Sequence, residues 1–357
     1  MSLIRRICLV LMLGVVLPAV AGETAAERVD AELDRRAADG RFSGAVLVAK
    51  DGDVIFSAAR GLADLERKVP NSLDTKFRFG SLGKMFTAVA IAQLEQAGKV
   101  SFDAPLGTYL RDYPDPATAK VTLHQLLTHT GGTGDVFGPE FRSTRLALKT
   151  LRDYVDLYGA RPPEFPPGSE HRYSNYGFIL LGRVIEVVSG QAYDAYVRDH
   201  VFLPAGMTST GNEPETAHVA GLALPYLGEP DAPRSAVDTL PFRGTSAGGG
   251  YTTVGDLSKF AQALLGGKLL DARHTELLTA GKVDTPMPGL RYGYGFEDMH
   301  LRNGLHRIGH GGGAPGMNAA FSIFPETGHV SIVLSNRDPP SAMEIERLLV
   351  DTFLVSR

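Results

Sequence analysis

The chain of 357 residues holds one cysteine, Cys8. A single thiol excludes a disulfide within the chain, and if residues 1–21 are removed no disulfide, thiolate or redox chemistry remains at all. Basic residues are not in excess. Lys and Arg number 36 against 40 Asp and Glu, the formal net charge is −4, and the cations are scattered. Nucleic-acid binding needs a basic stripe or patch, so no nucleic-acid partner is expected. Beyond residue 21 no apolar run reaches the roughly 20 residues that cross a bilayer. There is no internal repeat and no low-complexity tract. Three site motifs are also missing. His124 and His129 lie five apart without an H-E-x-x-H, which favours packing or loop roles over metal binding. Residues 241–251 are Gly-rich but lack the Lys and the strand–loop–helix frame of a phosphate loop. No G-x-S-x-G elbow is present, which argues against an α/β-hydrolase. The sequence asks for no cofactor and no metal.

The N-terminus is distinct. Arg5 and Arg6 precede an apolar run over residues 7–17, then Pro18 and the small residues Ala19-Val20-Ala21. This is the pattern of a secretory signal peptide cut after Ala21, with a membrane anchor as the alternative. Cys8 sits too early in the run for a lipoprotein. The remainder is expected to be exported, periplasmic or secreted, without stable membrane insertion. Hydrophobic residues at 43% and charged residues at 21% fit a soluble globular enzyme of one large domain or two lobes.

Hydrophobic periodicity orders the rest. Ala26, Val29, Leu33 and Ala37 predict a helix over residues 24–39 that Gly40 stops. Residues 44–49 and 54–58 read as strands around Asp51-Gly52, a hairpin signal. From Ser81 the spacing of Met85, Val89, Ala92 and Gln96 predicts a helix ending at Gly98. Residues 146–157 and 176–188 are further helical stretches, and residues 208–241 are loop-rich. Thr253 and Asp256 suggest a capping-box start for a helix over 257–265. Strands are expected at 292–299, 305–308, 319–324 and 330–335, with a last helix over about 341–354. Strands at both ends and helices between them predict an α/β (α+β) fold. One antiparallel sheet from N- and C-terminal strands would be flanked by helices, with a mostly helical lobe inserted. The sheet lobe would span 22–80 and 241–357, and the helical lobe 81–240.

Three motifs can carry chemistry. In Ser81-Leu82-Gly83-Lys84, positions i and i+3 share a helix face. The hydroxyl then stands beside an amine that can act as a base if burial lowers its pKa. A Ser cap followed by a solvated Lys would look the same. Tyr173-Ser174-Asn175 stands just before a helix, where a phenol can relay a proton and an amide can bond both a substrate and a Lys. A packed aromatic and an Asn cap are the plain alternative. His310-Gly311-Gly312-Gly313 offers bare backbone beside a strand and an N–H for an oxyanion, or simply a flexible loop.

Taken together, S-x-x-K, Y-x-N and H-x-G in this order resemble the serine β-lactamase and penicillin-binding superfamily, closest to its class C β-lactamase-like branch with related esterases and D-peptidases. Leu126-Leu127-Thr128-His129-Thr130-Gly131-Gly132 is similar to that family's L-L-x-H-T-S-G. Pro167-Gly168, Tyr173-Ser174-Asn175 and Leu180-Leu181-Gly182 are similar to its P-G, Y-S-N and L-L-G. Ala247-Gly248-Gly249 with Asp256 is similar to its A-G-G and D-L. The resemblance covers nearly all of residues 27–355. It implies Ser81 as the acylated nucleophile, with Lys84 and Tyr173 shuttling protons. It implies substrate binding by Asn175, His310, Gly312 and Gly313, and an oxyanion hole from the backbone N–H groups of Ser81 and Gly313. Tyr176 falls outside the motif and is expected to pack.

The third motif departs from the family's K-T-G. His310 replaces a permanent cation, and Gly312 replaces a hydroxyl. Both normally hold a substrate carboxylate, and a hydrogen bond to a charged group contributes roughly 1.5–3 kcal/mol. Weak or absent β-lactamase activity is therefore expected. The expected partner is a small-molecule ester, or a D-amino-acid-type or peptide amide. A β-lactamase, a D-Ala-D-Ala carboxypeptidase and a catalytically silent binder of cell-wall peptides or β-lactams are the rival readings. The oligomeric state is not legible.

Overall fold

The computed structural model describes residues 23–355. The expected signal segment, residues 1–21, lies outside the described residues. Among the described residues no helix is long and apolar enough to cross a membrane.

Eight strands form one antiparallel sheet. They are β1 (Gly44–Lys50), β2 (Asp53–Arg60), β3 (Val283–Asp284), β4 (Leu290–Tyr292), β5 (Glu297–His300), β6 (His306–Ala314), β7 (Met317–Phe324) and β8 (His329–Ser335). Their order is β2-β1-β8-β7-β6-β5-β4-β3, so the N-terminal hairpin adds to the C-terminal meander beside β8. This is the architecture that strands at both chain ends imply.

Helices cover both faces. On one face, α1 (Ala25–Ala38) contributes Val29 and Leu33. The C-terminal helix Ser341–Val350 adds Ala342, Ile345 and Leu349, and the sheet meets them with Val46, Val48, Ala320 and Val333. The alternate residues Ala45, Leu47, Ala319, Phe321, Ile332 and Leu334 join the larger apolar cluster on the other face. Successive strand side chains point to opposite faces, so a strand covered twice is apolar at consecutive positions. Every residue of β7 and β8 is buried accordingly.

The larger cluster is built around α2 (Gly83–Gln96), packed with α3 (Leu123–Leu127), α4 (Asn175–Ser189) and α5 (Val254–Leu265). A one-sided stripe fits α2 poorly. Residues 83–92 are buried all round, and Gln96, read as part of the stripe, is exposed. The helix runs through the middle of the molecule rather than along its surface.

Several local expectations shift. The strand expected over 292–299 is two strands, β4 and β5, separated where the chain turns at residues 293–296. The Gly run, read as lying beside a strand, is itself strand: β6 continues through Gly313 to Ala314. Thr253 does cap α5, accepting from the Asp256 amide at 3.1 Å. Asp256 completes no capping box. Its carboxylate turns to the Ser209 amide at 2.7 Å and the Thr210 hydroxyl at 2.9 Å, stitching a distant loop to the helix.

Candidate active site

Ser81 sits in a short 3₁₀ turn, Gly80–Leu82, that feeds directly into α2. The i, i+3 spacing brings the Lys84 amine to 3.4 Å from the Ser81 hydroxyl. Lys84 is 0% exposed. Its Nζ donates to Asn175 Oδ1 at 2.7 Å and to the Ala247 carbonyl at 2.6 Å. The rings of Tyr173 and Phe178 lie 4.7 and 5.5 Å from it. Burial lowers the Lys84 pKa to about 7, against the opposing charge of Asp135. Desolvation disfavours the ammonium form, so the amine can exchange a proton near neutrality. The alternative of a solvated Lys is excluded by this burial.

Tyr173 and Asn175 arrive together at the start of α4. Ser174 caps the helix, its hydroxyl accepting from the Gly177 amide at 2.9 Å and bonding Thr133 at 2.9 Å and the Gly134 carbonyl. That fixed cap aims Asn175 at Lys84 and sets the Tyr173 phenol near the Ser81 hydroxyl. Burial raises the Tyr173 pKa and the Ser81 hydroxyl opposes it, the net shift being upward. Tyr173 therefore stays protonated at neutral pH. Tyr176, one turn on, is buried and bonds the Tyr113 hydroxyl at 3.0 Å, the packing role expected of it.

Residues that the motifs did not flag hold this set in place. Asp135 accepts from Asn175 Nδ2 at 3.0 and 3.1 Å. An ionised carboxylate only accepts, so Asp135 forces the amide oxygen of Asn175 toward Lys84. His129 follows α3 in the left-handed region, φ 58. Its Nδ1 accepts from the Ser174 amide at 3.1 Å, and its ring packs 4.2 Å from that of Tyr173. Burial first, then the charge of Lys84, holds His129 well below the usual histidine range. His124 goes elsewhere, bonding the Tyr294 hydroxyl at 2.8 Å. The signal for His129 was present in its family segment, and Ala247-Gly248-Gly249 likewise marks the Lys84 acceptor. Nothing local in the sequence pointed to Asp135.

The glycine strand supplies backbone. β6 pairs with β5 only as far as Gly309. Past that point its free edge faces the Ser81 turn, and the Gly311 amide, two residues beyond the paired Gly309, lies on that edge. Amides two residues apart on a strand point the same way, so that of Gly313 shares this edge. A methyl on Gly80 would stand 3.0 Å from the Gly313 nitrogen, and one on Gly312 would stand 3.2 Å from the Ser81 nitrogen and collide with the Phe79 carbonyl. Only bare backbone permits this approach, and it sets the two amides side by side. Such a pair can hold a developing oxyanion.

His310 is 2% exposed. Its Nε2 meets the Tyr292 hydroxyl at 2.8 Å and its Nδ1 the Gly311 carbonyl at 2.5 Å. A carbonyl only accepts, so Nδ1 carries the proton and Nε2 accepts from Tyr292. Burial lowers the His310 pKa, Glu297 opposes and Lys84 adds to the lowering. The ring is thus neutral, with both nitrogens engaged by the protein. Ser81, Lys84, Tyr173, Asn175 and the Gly312–Gly313 backbone converge. His310 stands a layer behind, its ring 6.3 Å from that of Tyr173.

The beta-lactamase family model matches residues 29–353. The crystal structure of a penicillin binding protein from Bacillus halodurans superposes with a TM-score of 0.83 at 34% identity, over 90% of this chain and 100% of that one. A D-stereospecific amidohydrolase from Streptomyces sp. superposes with a TM-score of 0.77 at 28% identity, over 93% of this chain and 99% of that one. Esterase EstB of Burkholderia gladioli is 35% identical over 58% of this chain and 57% of the esterase. The matched span takes in the Gly80–Leu82 turn, the helical segment and the glycine strand alike, so the chain belongs to the beta-lactamase family and carries its serine-hydrolase-type fold.

Proposed function

We propose that this protein hydrolyses small esters or D-amino-acid-type amides through an acyl-enzyme on Ser81, with little or no β-lactamase activity. The observation that carries this reading is the buried Lys84 amine, 3.4 Å from the Ser81 hydroxyl and with its pKa lowered to about 7. Lys84, rather than Tyr173, is the acylation base. A phenol whose pKa is raised holds its proton, whereas this amine is part-deprotonated at neutral pH.

Neutral Lys84 takes the Ser81 proton as Oγ attacks the carbonyl. The amides of Ser81 and Gly313 hold the oxyanion. Tyr173 gives its proton to the departing alcohol or amine, and the Lys84 ammonium supplies the replacement. Water then attacks the acyl-enzyme and loses a proton to Lys84, which returns it to Ser81 as the acid leaves.

Substrate class follows from the third motif. The neutral His310 ring has no free donor, and Gly312 has no hydroxyl. Neither can grip the carboxylate that a β-lactam or a peptide C-terminus presents. EstB and the D-stereospecific amidohydrolase are among the relatives whose names fit this reading. Residues 1–21 make an export signal, placing the enzyme in the periplasm or medium.

Activity-based labelling tests the reading. A fluorophosphonate probe should label the wild type and fail to label Ser81→Ala and Lys84→Ala, while a fluorescent penicillin labels poorly or not at all. Phosphonate labelling that is indifferent to Ser81 would overturn the nucleophile assignment. Strong penicillin labelling would overturn the substrate class.

A further inference from the structure

Away from Ser81, the β5–β6 hairpin gathers imidazoles and carboxylates on one face. His300 and His306 are direct cross-strand partners in the register of β5 and β6. Asp298 lies two residues before His300, so it shares that face. One ligand atom from each of Asp298, His300 and His306 lies within 4.8 Å of the others. His306 Nε2 meets Asp298 Oδ1 at 2.8 Å, and its Nδ1 meets Glu326 Oε1 at 3.1 Å. The other Asp298 oxygen accepts from the Gly281 amide at 2.6 Å.

We propose that Asp298, His300 and His306 form a binding site for a divalent first-row metal ion of the zinc type. Two imidazoles and one carboxylate are a donor set that Zn²⁺ takes, and a fourth position is left for water. Bonds of about 2.0–2.2 Å place tetrahedral ligands about 3.3 Å apart, so the Asp298–His306 pair at 2.8 Å must open by about 0.5 Å and His300 must close by at most about 1.5 Å. The surroundings favour a ligand role. A metal-bound histidine usually donates its second N–H to a carboxylate, which fixes ring and tautomer. Glu326 already holds His306 Nδ1 in that way, leaving Nε2 for the ion. Gly281 fixes the Asp298 carboxylate similarly. His300 is exposed, so an ion can enter from solvent.

The ion would clamp β5 to β6 and, through Glu326, to the turn between β7 and β8. His306 and Gly313 are seven residues apart on one strand, about 23 Å at strand rise. The ion therefore touches none of the reacting atoms. Its effect is on the stability of the hairpin that ends in the glycine edge.

The test uses tag-free protein stripped with a chelator and titrated with Zn²⁺, read by calorimetry and by melting temperature. The expected result is one equivalent bound and a raised melting temperature. Exposed His300 can be replaced without disturbing the fold, and His300→Ala should abolish both effects. Glu326→Gln should weaken binding about 10- to 100-fold. Well below one equivalent, or unchanged affinity in His300→Ala, would overturn the site. Unchanged affinity in Glu326→Gln would overturn the orienting role given to Glu326.

Discussion

Taking the Lys84 amine out of water leaves it with two oxygen acceptors, Asn175 and Ala247, and a hydroxyl. The charged form suffers from lost hydration, and the neutral form keeps its donors. The folded pKa of about 7 then falls well below the ordinary lysine value of 10.5. Two pH effects follow from this one shift. Acylation needs neutral Lys84, so kcat/KM should rise tenfold per pH unit below about 7 and level off above it. Stability should move in the same direction. Between pH 7 and 10.5 the unfolded chain holds a proton on this lysine that the folded chain has released, so unfolding takes up a proton and becomes harder as pH rises. Below pH 7 both states are protonated and the contribution is flat. Urea unfolding of wild type and Lys84→Met across pH 6–10 checks this. The wild type should gain on the variant by about 1.4 kcal/mol per pH unit above 7. Parallel curves would mean that Lys84 titrates normally.

Among the elements, the glycine end of β6 decides whether the site closes. Its free edge must lie against the Gly80–Leu82 turn with no side chain between them. Gly312→Ala would press a methyl on the Phe79 carbonyl, and overpacking of this kind costs about 1–3 kcal/mol. More telling is where the strain goes. The strand must move off the Ser81 turn and separate the two amides. Ser81 phosphonylation should fall about 10²–10³-fold, the usual effect of losing an oxyanion donor. Melting temperature should drop only modestly, and wild-type labelling rates would show that the strand edge plays no such part. The S-x-x-K spacing was legible in the sequence because a helical turn fixes it. The strand character of His310–Gly313 was not, because three glycines carry no period-2 signal. Only pairing with β7 defines it.

Across the whole molecule, a buried charged group links sheet and helix. Arg307 on β6 bonds Glu297 on β5 at 2.9 Å and Ser322 on β7 at 2.5 Å. It lies 3.7 Å from Glu346 on the C-terminal helix, which bonds Ser322 in turn. Burial raises the Glu297 pKa, but the charge and hydrogen bond of Arg307 oppose it, and the net shift is downward. Removing the cation leaves the buried Glu346 and the half-buried Glu297 without it. Arg307→Met should destabilise by about 3–5 kcal/mol in chemical denaturation. A change below 1 kcal/mol would show that the carboxylates find other partners or water.

The sequence by itself determined the strand-rich ends, the helical middle, and the local geometry of Ser81 with Lys84 and of Tyr173 with Asn175. Each depends on periodicity or on spacing within one helical turn. Tertiary structure decided the rest. It brought the start of α4 to the start of α2, 91 residues away at the Lys84–Asn175 bond. It recruited Asp135, His129 and Ala247, and it gave His310 a neutral, fully engaged ring in place of a free cation. Those outcomes depend on which surfaces exclude water from one another. Desolvation is a property of the packed assembly and leaves no mark on the local order of residues.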